Sequence, residues 1–137
     1  MSLDGKVAIV TGSGRGLGLA YARELARQGA AVVVNDVDAS VADEAVAAIT
    51  AEGGRAVAVV APVGSTETAQ ALVAAAVENF GGLDILVNNA HASRQASILE
   101  TTKEIWDLSF NTGTMATFYL MRAAYPELKK TRGSIIN

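Results

Sequence analysis

The stretch Thr11-Gly12-Ser13-Gly14-Arg15-Gly16-Leu17-Gly18 decides the fold of this chain. It follows Lys6-Val7-Ala8-Ile9-Val10, a short apolar run rich in β-branched residues, which is typical of a strand buried on both faces. The pattern after the glycines predicts a helix that starts near Arg15. Glycines between a strand and a helix permit positive φ and let an anionic ligand approach the main chain.

The spacing of the glycines is Gly12-x-x-x-Gly16-x-Gly18, which differs from GxGxxG because Leu17 stands where the third glycine would fall. Asp36 follows Gly18 by eighteen residues and ends a second apolar run, Ala31-Val32-Val33-Val34-Asn35. A helix N-terminus supplies unpaired N–H donors for a pyrophosphate, and an acidic residue after the second strand accepts hydrogen bonds from a ribose. Together these features predict a dinucleotide site, and a glycine loop without a ligand is the alternative.

The acidic residue also bears on the choice of cofactor. A carboxylate at Asp36 would bind the adenosine ribose hydroxyls and repel a 2′-phosphate, so we expect NAD(H) to be preferred. Arg15 could pair with a phosphate, which keeps NADP(H) as the alternative. A structural role is open too, because Asp36 could cap the next helix, as could Asp38 or Ser40.

Composition places limits on the class of protein. The chain has 137 residues, 50% hydrophobic and 18% charged, which fits one folded domain over residues 1–137. A net charge of −3 without a basic cluster argues against nucleic-acid partners. With no cysteine and one histidine we expect no metal site. The early first strand and the lack of a long apolar run predict no signal peptide, no membrane span and a cytoplasmic protein.

Strand and helix patterns alternate along the whole chain. The first helix is expected to form an apolar stripe from Leu17, Tyr21 and Leu25. The later segments are predicted as helix over 38–52, strand over 55–61, helix from Ser65 or Thr66 to 80, strand over 83–87, helix over 102–130 and strand over 133–137. This alternation predicts an α/β fold, a Rossmann-type doubly wound parallel sheet of five strands in the order 3-2-1-4-5.

The sequence resembles the N-terminal half of a short-chain dehydrogenase/reductase from about Lys6 to the last residue. The motifs that carry the resemblance occur in order: the glycine turn, Asp36, Asn88-Asn89-Ala90, Asn111, and Gly133-Ser134-Ile135-Ile136-Asn137. The resemblance implies NAD(P)-dependent hydride transfer between nicotinamide and an alcohol or carbonyl substrate. It also implies that the chain is truncated before the later strands.

The family pattern implies a role for individual residues. Thr11 and Asn88 would steady the turn and the sheet, and Asn111 would take the position that holds a water in a proton relay. The implied cofactor contacts are Gly12, Ser13, Arg15, Gly16, Leu17, Gly18, Asp36, Val63, Asn89 and Ala90. On the residues alone, an Asn-Asn pair is also a common turn, and a helical asparagine is often a satisfied surface residue.

Two positions depart from the family pattern near the expected cofactor. His91 stands where glycine is usual, close to the expected nicotinamide, where its side chain would narrow the pocket, add a polar group or have no role. Pro62 replaces an acidic residue that contacts adenine, so adenine affinity is expected to be weaker, while Val63 can still pack on the ring.

The serine, tyrosine and lysine that carry the family's chemistry would lie beyond the fifth strand. Tyr125 and Lys129 have the Tyr-x-x-x-Lys spacing but precede that strand, so we interpret them as structural. The long helix and an exposed fifth strand predict a homo-oligomer or a complementing chain. Three functions stay open: the cofactor-binding half of an oxidoreductase, a non-catalytic nucleotide-binding module, and an interaction remnant without cofactor.

Overall fold

A five-stranded parallel sheet forms the centre of the fold, seen in a computed structural model that describes residues 2–137. Its strands are β1 (Val7–Val10), β2 (Ala31–Asp36), β3 (Arg55–Val60), β4 (Ile85–Val87) and β5 (Ser134–Ile136). They lie in the order β3-β2-β1-β4-β5, and every neighbouring pair is parallel. The predicted doubly wound sheet and its strand order are therefore confirmed.

Five α-helices connect the strands. They are α1 (Gly16–Arg27), α2 (Ala39–Ala51), α3 (Thr66–Phe80), α4 (Lys103–Phe110) and α5 (Ala116–Thr131). The Ser65 hydroxyl caps α3 by accepting from the Thr68 N–H, and Gly81 ends this helix at a positive φ of 88°. Within residues 2–137, no helix combines the length and the apolar character needed to cross a membrane.

The core lies on both faces of the sheet because alternate strand residues point to opposite sides. On one face Ile9, Leu72 and Leu120 belong to a cluster covered by α3 and α5. On the other face Val32 and Ile49 belong to a cluster covered by α1 and α2. Every residue of β1 and β2 is buried, which explains why both strands are continuous apolar runs up to Val34.

The first helix does not bury the predicted face. Its buried residues are Gly18, Ala22 and Ala26, whereas Leu17 is 69% exposed and Tyr21 also lies at the surface. A Cβ on Gly18 would lie 2.2 Å from the carbonyl oxygen of Gly12, so this close approach requires glycine. The predicted Leu17–Tyr21–Leu25 stripe was wrong for Leu17 and Tyr21, whereas Leu25 is partly buried against the core; the fully buried positions of α1 are small residues.

A wide turn interrupts the long helix. The predicted helix over 102–130 is present, but residues Asn111–Met115 form a π-helical turn between α4 and α5. Such turns shift the positions that share a helix face and occur frequently at functional sites. Residues that share one face of α4 therefore do not continue on the same face of α5.

Candidate functional site

A cleft of about 290 Å³ opens across the carboxyl ends of β1, β2 and β4. The chain runs from β1 to β2 on one side of β1 and returns to β4 on its other side, which is the switch point where open α/β sheets bind ligands. The lining includes six of the predicted cofactor contacts: Gly12, Arg15, Asp36, Val63, Asn89 and Ala90. Pro62 and His91 line the same cleft.

The Ser13 side chain does not face this cleft, since the residue is fully buried. Its hydroxyl donates to the Val10 carbonyl over 2.6 Å and accepts from the Asn35 N–H over 3.1 Å. Its own N–H donates to the Asn35 carbonyl over 2.7 Å. Ser13 therefore fastens the turn to β2, and both its side chain and its main-chain donor are already engaged.

The start of α1 differs from the starts of the other helices. Side chains of Asp38, Ser65 and Thr102 accept hydrogen bonds from the first turns of α2, α3 and α4. By contrast, Arg15 precedes α1 without a side-chain cap. Four N–H groups at a helix start have no partner inside the helix, so a capped start and an uncapped start differ in the donors they leave for a ligand.

The uncapped donors belong to the glycine turn. Among residues 2–137, the N–H groups of Gly16, Leu17 and Gly18 find no main-chain or side-chain acceptor. Gly16 has a φ of 58°, and no atom lies within 4 Å of the place where its Cβ would be. The helix start is therefore open and carries the positive end of the helix dipole, an arrangement that suits a phosphate.

Asp36 is 8% exposed, and its side chain is hydrogen-bonded to the glycine turn. One oxygen, Oδ2, accepts from the Gly14 N–H over 3.2 Å, and Oδ1 accepts from the N–H groups of Val37 and Asp38 over 2.8 and 3.2 Å. A Cβ on Gly14 would lie 2.6 Å from Oδ2, so the carboxylate packs directly on the glycine. These contacts fix the Asp36 side chain at the edge of the cleft.

The cap of α2 is Asp38 rather than Asp36. Its carboxylate accepts from the N–H groups of Ser40 and Val41. The pKa of Asp38 is lowered, first by the Ser40 hydroxyl, then by the Val41 N–H, with a smaller attraction from Arg15. Because Asp38 caps α2, the Asp36 side chain, which lines the cleft, is left for another role.

The connection after β4 is cross-tied to the glycine turn. The Thr11 hydroxyl accepts from the N–H groups of Asn89 and Ala90 over 3.0 and 2.9 Å. In return, the Asn89 side-chain amide donates to the carbonyls of Thr11 and Gly12 over 2.9 and 3.1 Å. The Asn89 side chain therefore shapes the cleft by holding the turn.

Sequence reasoning did not find Ala92 and Thr112, which also line the cleft. The Thr112 hydroxyl accepts from the Ala92 N–H over 2.9 Å and lies within donor distance of the carbonyls of Leu108 and Ala92. Thr112 belongs to the π-helical turn, whose shifted faces are invisible to a helical periodicity. Its neighbour Asn111 is the one signal that pointed to this segment.

Asn111 is the first residue of the π-helical turn and is exposed. It is not among the residues that line the cleft, although its carbonyl oxygen lies 2.8 Å from where a Cβ on Gly64 would be. The structure thus sets it beside the loop that follows Val63. Its role in a proton relay stays a prediction.

Comparison with known proteins agrees with this geometry. The sequence pattern of the family described as short chain dehydrogenase matches residues 6–137. The chain is 46% identical over 136 residues to an uncharacterised oxidoreductase of Methylorubrum extorquens, covering 98% of this chain and 54% of that protein. It is 42% identical over 135 residues to dehydrogenase/reductase SDR family member 4 of Bos taurus, covering 98% of this chain and 48% of that protein.

Solved structures give the same result. A short chain dehydrogenase from Mycobacterium avium superposes with a TM-score of 0.93 at 38% identity, covering 100% of this chain and 53% of that one. L-sorbose reductase from Gluconobacter frateurii, complexed with NADPH and L-sorbose, has a TM-score of 0.92 at 35% identity, covering 98% and 52%. The chain spans about half the length of these relatives. The resemblance is confirmed, and the chain belongs to the short-chain dehydrogenase/reductase family.

Proposed function

We propose that this chain is the cofactor-binding half of an NAD(H)-dependent oxidoreductase. A bound dinucleotide would accept or donate the hydride exchanged with the carbon of a small-molecule alcohol or carbonyl. The proposal rests mainly on the uncapped start of α1. This helix begins directly after Arg15, and both Arg15 and Asp36 line the cleft. Gly16, Leu17 and Gly18 are not in the lining, but their free N–H groups follow Arg15 directly and could bind a phosphate, while Asp36 in the lining could accept from a ribose.

The preference for NAD(H) follows from the bonding of Asp36. A carboxylate has about four lone-pair sites, and three N–H groups already bond to this one, which leaves an acceptor for a ribose hydroxyl. A 2′-phosphate in the same place would meet a negative group. NADP(H) is the alternative, since Arg15 lines the cleft and L-sorbose reductase, a structural neighbour, is complexed with NADPH.

The remaining cleft residues would hold the dinucleotide and exclude water from it. Val63 would pack on the adenine, and the segment Asn89–Ala90 would follow the cofactor past β4. Asn111 would hold a relay water. Tyr125 is 61% exposed, its ring centroid lies 5.9 Å from the Lys129 ammonium, and neither residue lines the cleft, which supports a structural role for both.

A binding half that requires a complementing chain is the second candidate function. An apolar groove of about 490 Å³ runs between α1 and the β4–β5 side of the sheet, and its lining includes Tyr21, Leu25 and Ile136. The Asn88 Oδ1 atom is buried and, among residues 2–137, has no hydrogen-bond partner. Unpaired strand edges and apolar grooves favour pairing with a second polypeptide.

The long helix supports a homo-oligomer on the same reasoning. Trp106 and Phe110 stack with ring centroids 5.3 Å apart, yet both are largely exposed. Further along, Phe118, Met121 and Tyr125 are exposed too. Exposed aromatic residues spaced along one helix are typical of a protein interface, and light scattering of the purified chain would measure the expected association.

Titration of the chain with NADH and with NADPH tests the proposal. We expect NADH to bind more tightly, and Asp36→Asn to lower the NADH preference by about tenfold, or ~1.4 kcal/mol, because the repelling charge is removed. Asp38→Asn is the matched control, since it removes the charge of a neighbouring carboxylate that caps α2 and does not line the cleft. Equal affinity of the unchanged protein for NADH and NADPH would contradict the NAD(H) preference, and no binding of either would contradict the function.

A further inference from the structure

His91 occupies the end of the cleft that lies opposite Asp36. Both residues line the cleft, but Asp36 ends β2 whereas His91 follows β4, and β1 with its glycine turn lies between these strands. A dinucleotide whose ribose meets Asp36 and whose pyrophosphate meets the glycine turn extends across β1 toward β4. The second nucleoside would therefore reach the segment that contains His91.

The backbone around His91 is fixed on both sides. The N–H of Ala90 donates to the Thr11 hydroxyl over 2.9 Å, which ties the segment to the end of β1. The N–H of Ala92 donates to the Thr112 hydroxyl over 2.9 Å, which ties it to the π-helical turn. A ligand that contacts His91 would meet a residue whose main chain is already ordered, so binding costs little additional entropy.

The His91 ring is also held in place. Its Nε2 atom lies 3.0 Å from the Ser109 hydroxyl oxygen. The ring packs against Gly113, where a Cβ would be 3.3 Å from the His91 Cδ2 atom. Within the described part of the chain, residues 2–137, Nδ1 makes no hydrogen bond. The ring is thus anchored through one nitrogen and offers the other to a ligand.

We infer that the His91 Nδ1 atom binds the nicotinamide nucleoside of the dinucleotide, and this inference rests on the proposed function. The tautomer of the imidazole ring decides whether Nδ1 donates or accepts a hydrogen bond. If Nε2–H donates to Ser109, Nδ1 accepts from a hydroxyl; if Nε2 accepts from the Ser109 hydroxyl, Nδ1–H donates to an oxygen. A ribose hydroxyl or the nicotinamide carboxamide could donate to Nδ1 in the first case and accept from Nδ1–H in the second. His91 is therefore a determinant of nicotinamide binding rather than of adenosine binding.

Binding of NAD⁺ and of ADP to variants of the full chain tests the inference, because ADP keeps the adenosine and the pyrophosphate but lacks the second nucleoside. We expect His91→Ala to weaken NAD⁺ binding about 3- to 10-fold, the range of one lost hydrogen bond, and to leave ADP binding within about twofold. Ser109→Ala is the matched control: it frees the ring without removing it, so a smaller loss confined to NAD⁺ is expected. His91→Asn, with an amide near the Nδ1 position, should restore part of the affinity.

The outcomes separate this inference from the proposed function. If His91→Ala lowers the affinities for NAD⁺ and ADP equally, or changes neither, the inference is overturned. The proposed function is still upheld in that case if the unchanged protein binds NAD⁺. Failure of the unchanged protein to bind NAD⁺ and ADP would overturn both. Binding of ADP-ribose, which has the second ribose but no nicotinamide, locates the contact. A loss of affinity for both NAD⁺ and ADP-ribose assigns it to the ribose, and a loss for NAD⁺ alone assigns it to the nicotinamide ring.

Discussion

The two parts of the sheet, strands β1 and β2 on one side and strand β5 at the opposite edge, consist of similar residues but differ in how far these residues are buried. Every residue of β1 and β2 is buried and the middle residues of the outer strand β3 are partly buried, whereas all three residues of β5 are exposed and Ile136 retains 55% of its accessible surface. Both sides are rich in Val and Ile, so composition does not explain the difference. The strands that lead into the glycine turn are covered by residues of this chain, and β5 presents residues typical of an interior.

Hydrogen bonding follows the same division. Around the glycine turn, Thr11, Ser13 and Asn35 each bond to a neighbouring strand end or loop. On the other side, Asn88 donates to the Asn137 side chain over 2.7 Å, but its buried Oδ1 has no partner among residues 2–137. The comparison indicates that hydrogen bonds order the cleft beside the glycine turn, whereas the β4–β5 edge keeps a buried polar atom without a partner among residues 2–137.

Introducing a lysine should give the largest difference in the free energy of unfolding between a position in β2 and a position in β5. Val33→Lys places an unpaired ammonium at a fully buried position of β2, and we expect a loss of about 4 kcal/mol or more, enough to abolish cooperative unfolding. Ile136→Lys, the matched change on β5, should alter the free energy of unfolding by less than about 0.5 kcal/mol and reduce self-association. Circular dichroism melts and light scattering would measure both, and equal destabilisation by the two variants would break the comparison.

Gly18→Ala should produce the next largest effect. Its Cβ would lie 2.2 Å from the Gly12 carbonyl oxygen and 2.6 Å from the Asn89 amide nitrogen, so α1 must move away from the turn. We expect a loss of about 2–3 kcal/mol and weaker nucleotide binding, measured by urea unfolding and by titration. Gly82→Ala is the control, because no atom lies within 4 Å of that Cβ; similar losses in both variants would contradict the close-approach explanation.

Thr11→Val should have a smaller effect on the same side. The substitution keeps the shape but removes the acceptor of the Asn89 and Ala90 N–H groups, at a cost of about 1–3 kcal/mol. Thr11→Ser keeps the hydroxyl and should restore most of the stability in thermal unfolding. A serine variant as unstable as the valine variant would show that the methyl packing, rather than the hydrogen bonds, holds the β4 connection.

Much of this division could be predicted from the sequence. Apolar runs and glycine positions predicted the alternating strands and helices of a parallel sheet, and Asp36 was expected in the cleft that it lines. The face of α1 was not predictable from hydrophobicity, because close packing selected Gly18, Ala22 and Ala26 over larger residues. Thr112 was missed because the π-helical turn changes the helical period that pattern analysis assumes.

Hydrogen–deuterium exchange of the full chain with and without NADH tests the central claim most directly, because it measures both sides of the sheet at once. We expect NADH to protect the amides of residues 12–18, 36–37 and 89–92, while Ser134–Ile136 exchange equally fast in both conditions. Protection confined to β5, or no protection at the glycine turn at saturating NADH, would contradict the proposal that the glycine turn and Asp36 of this chain bind the cofactor.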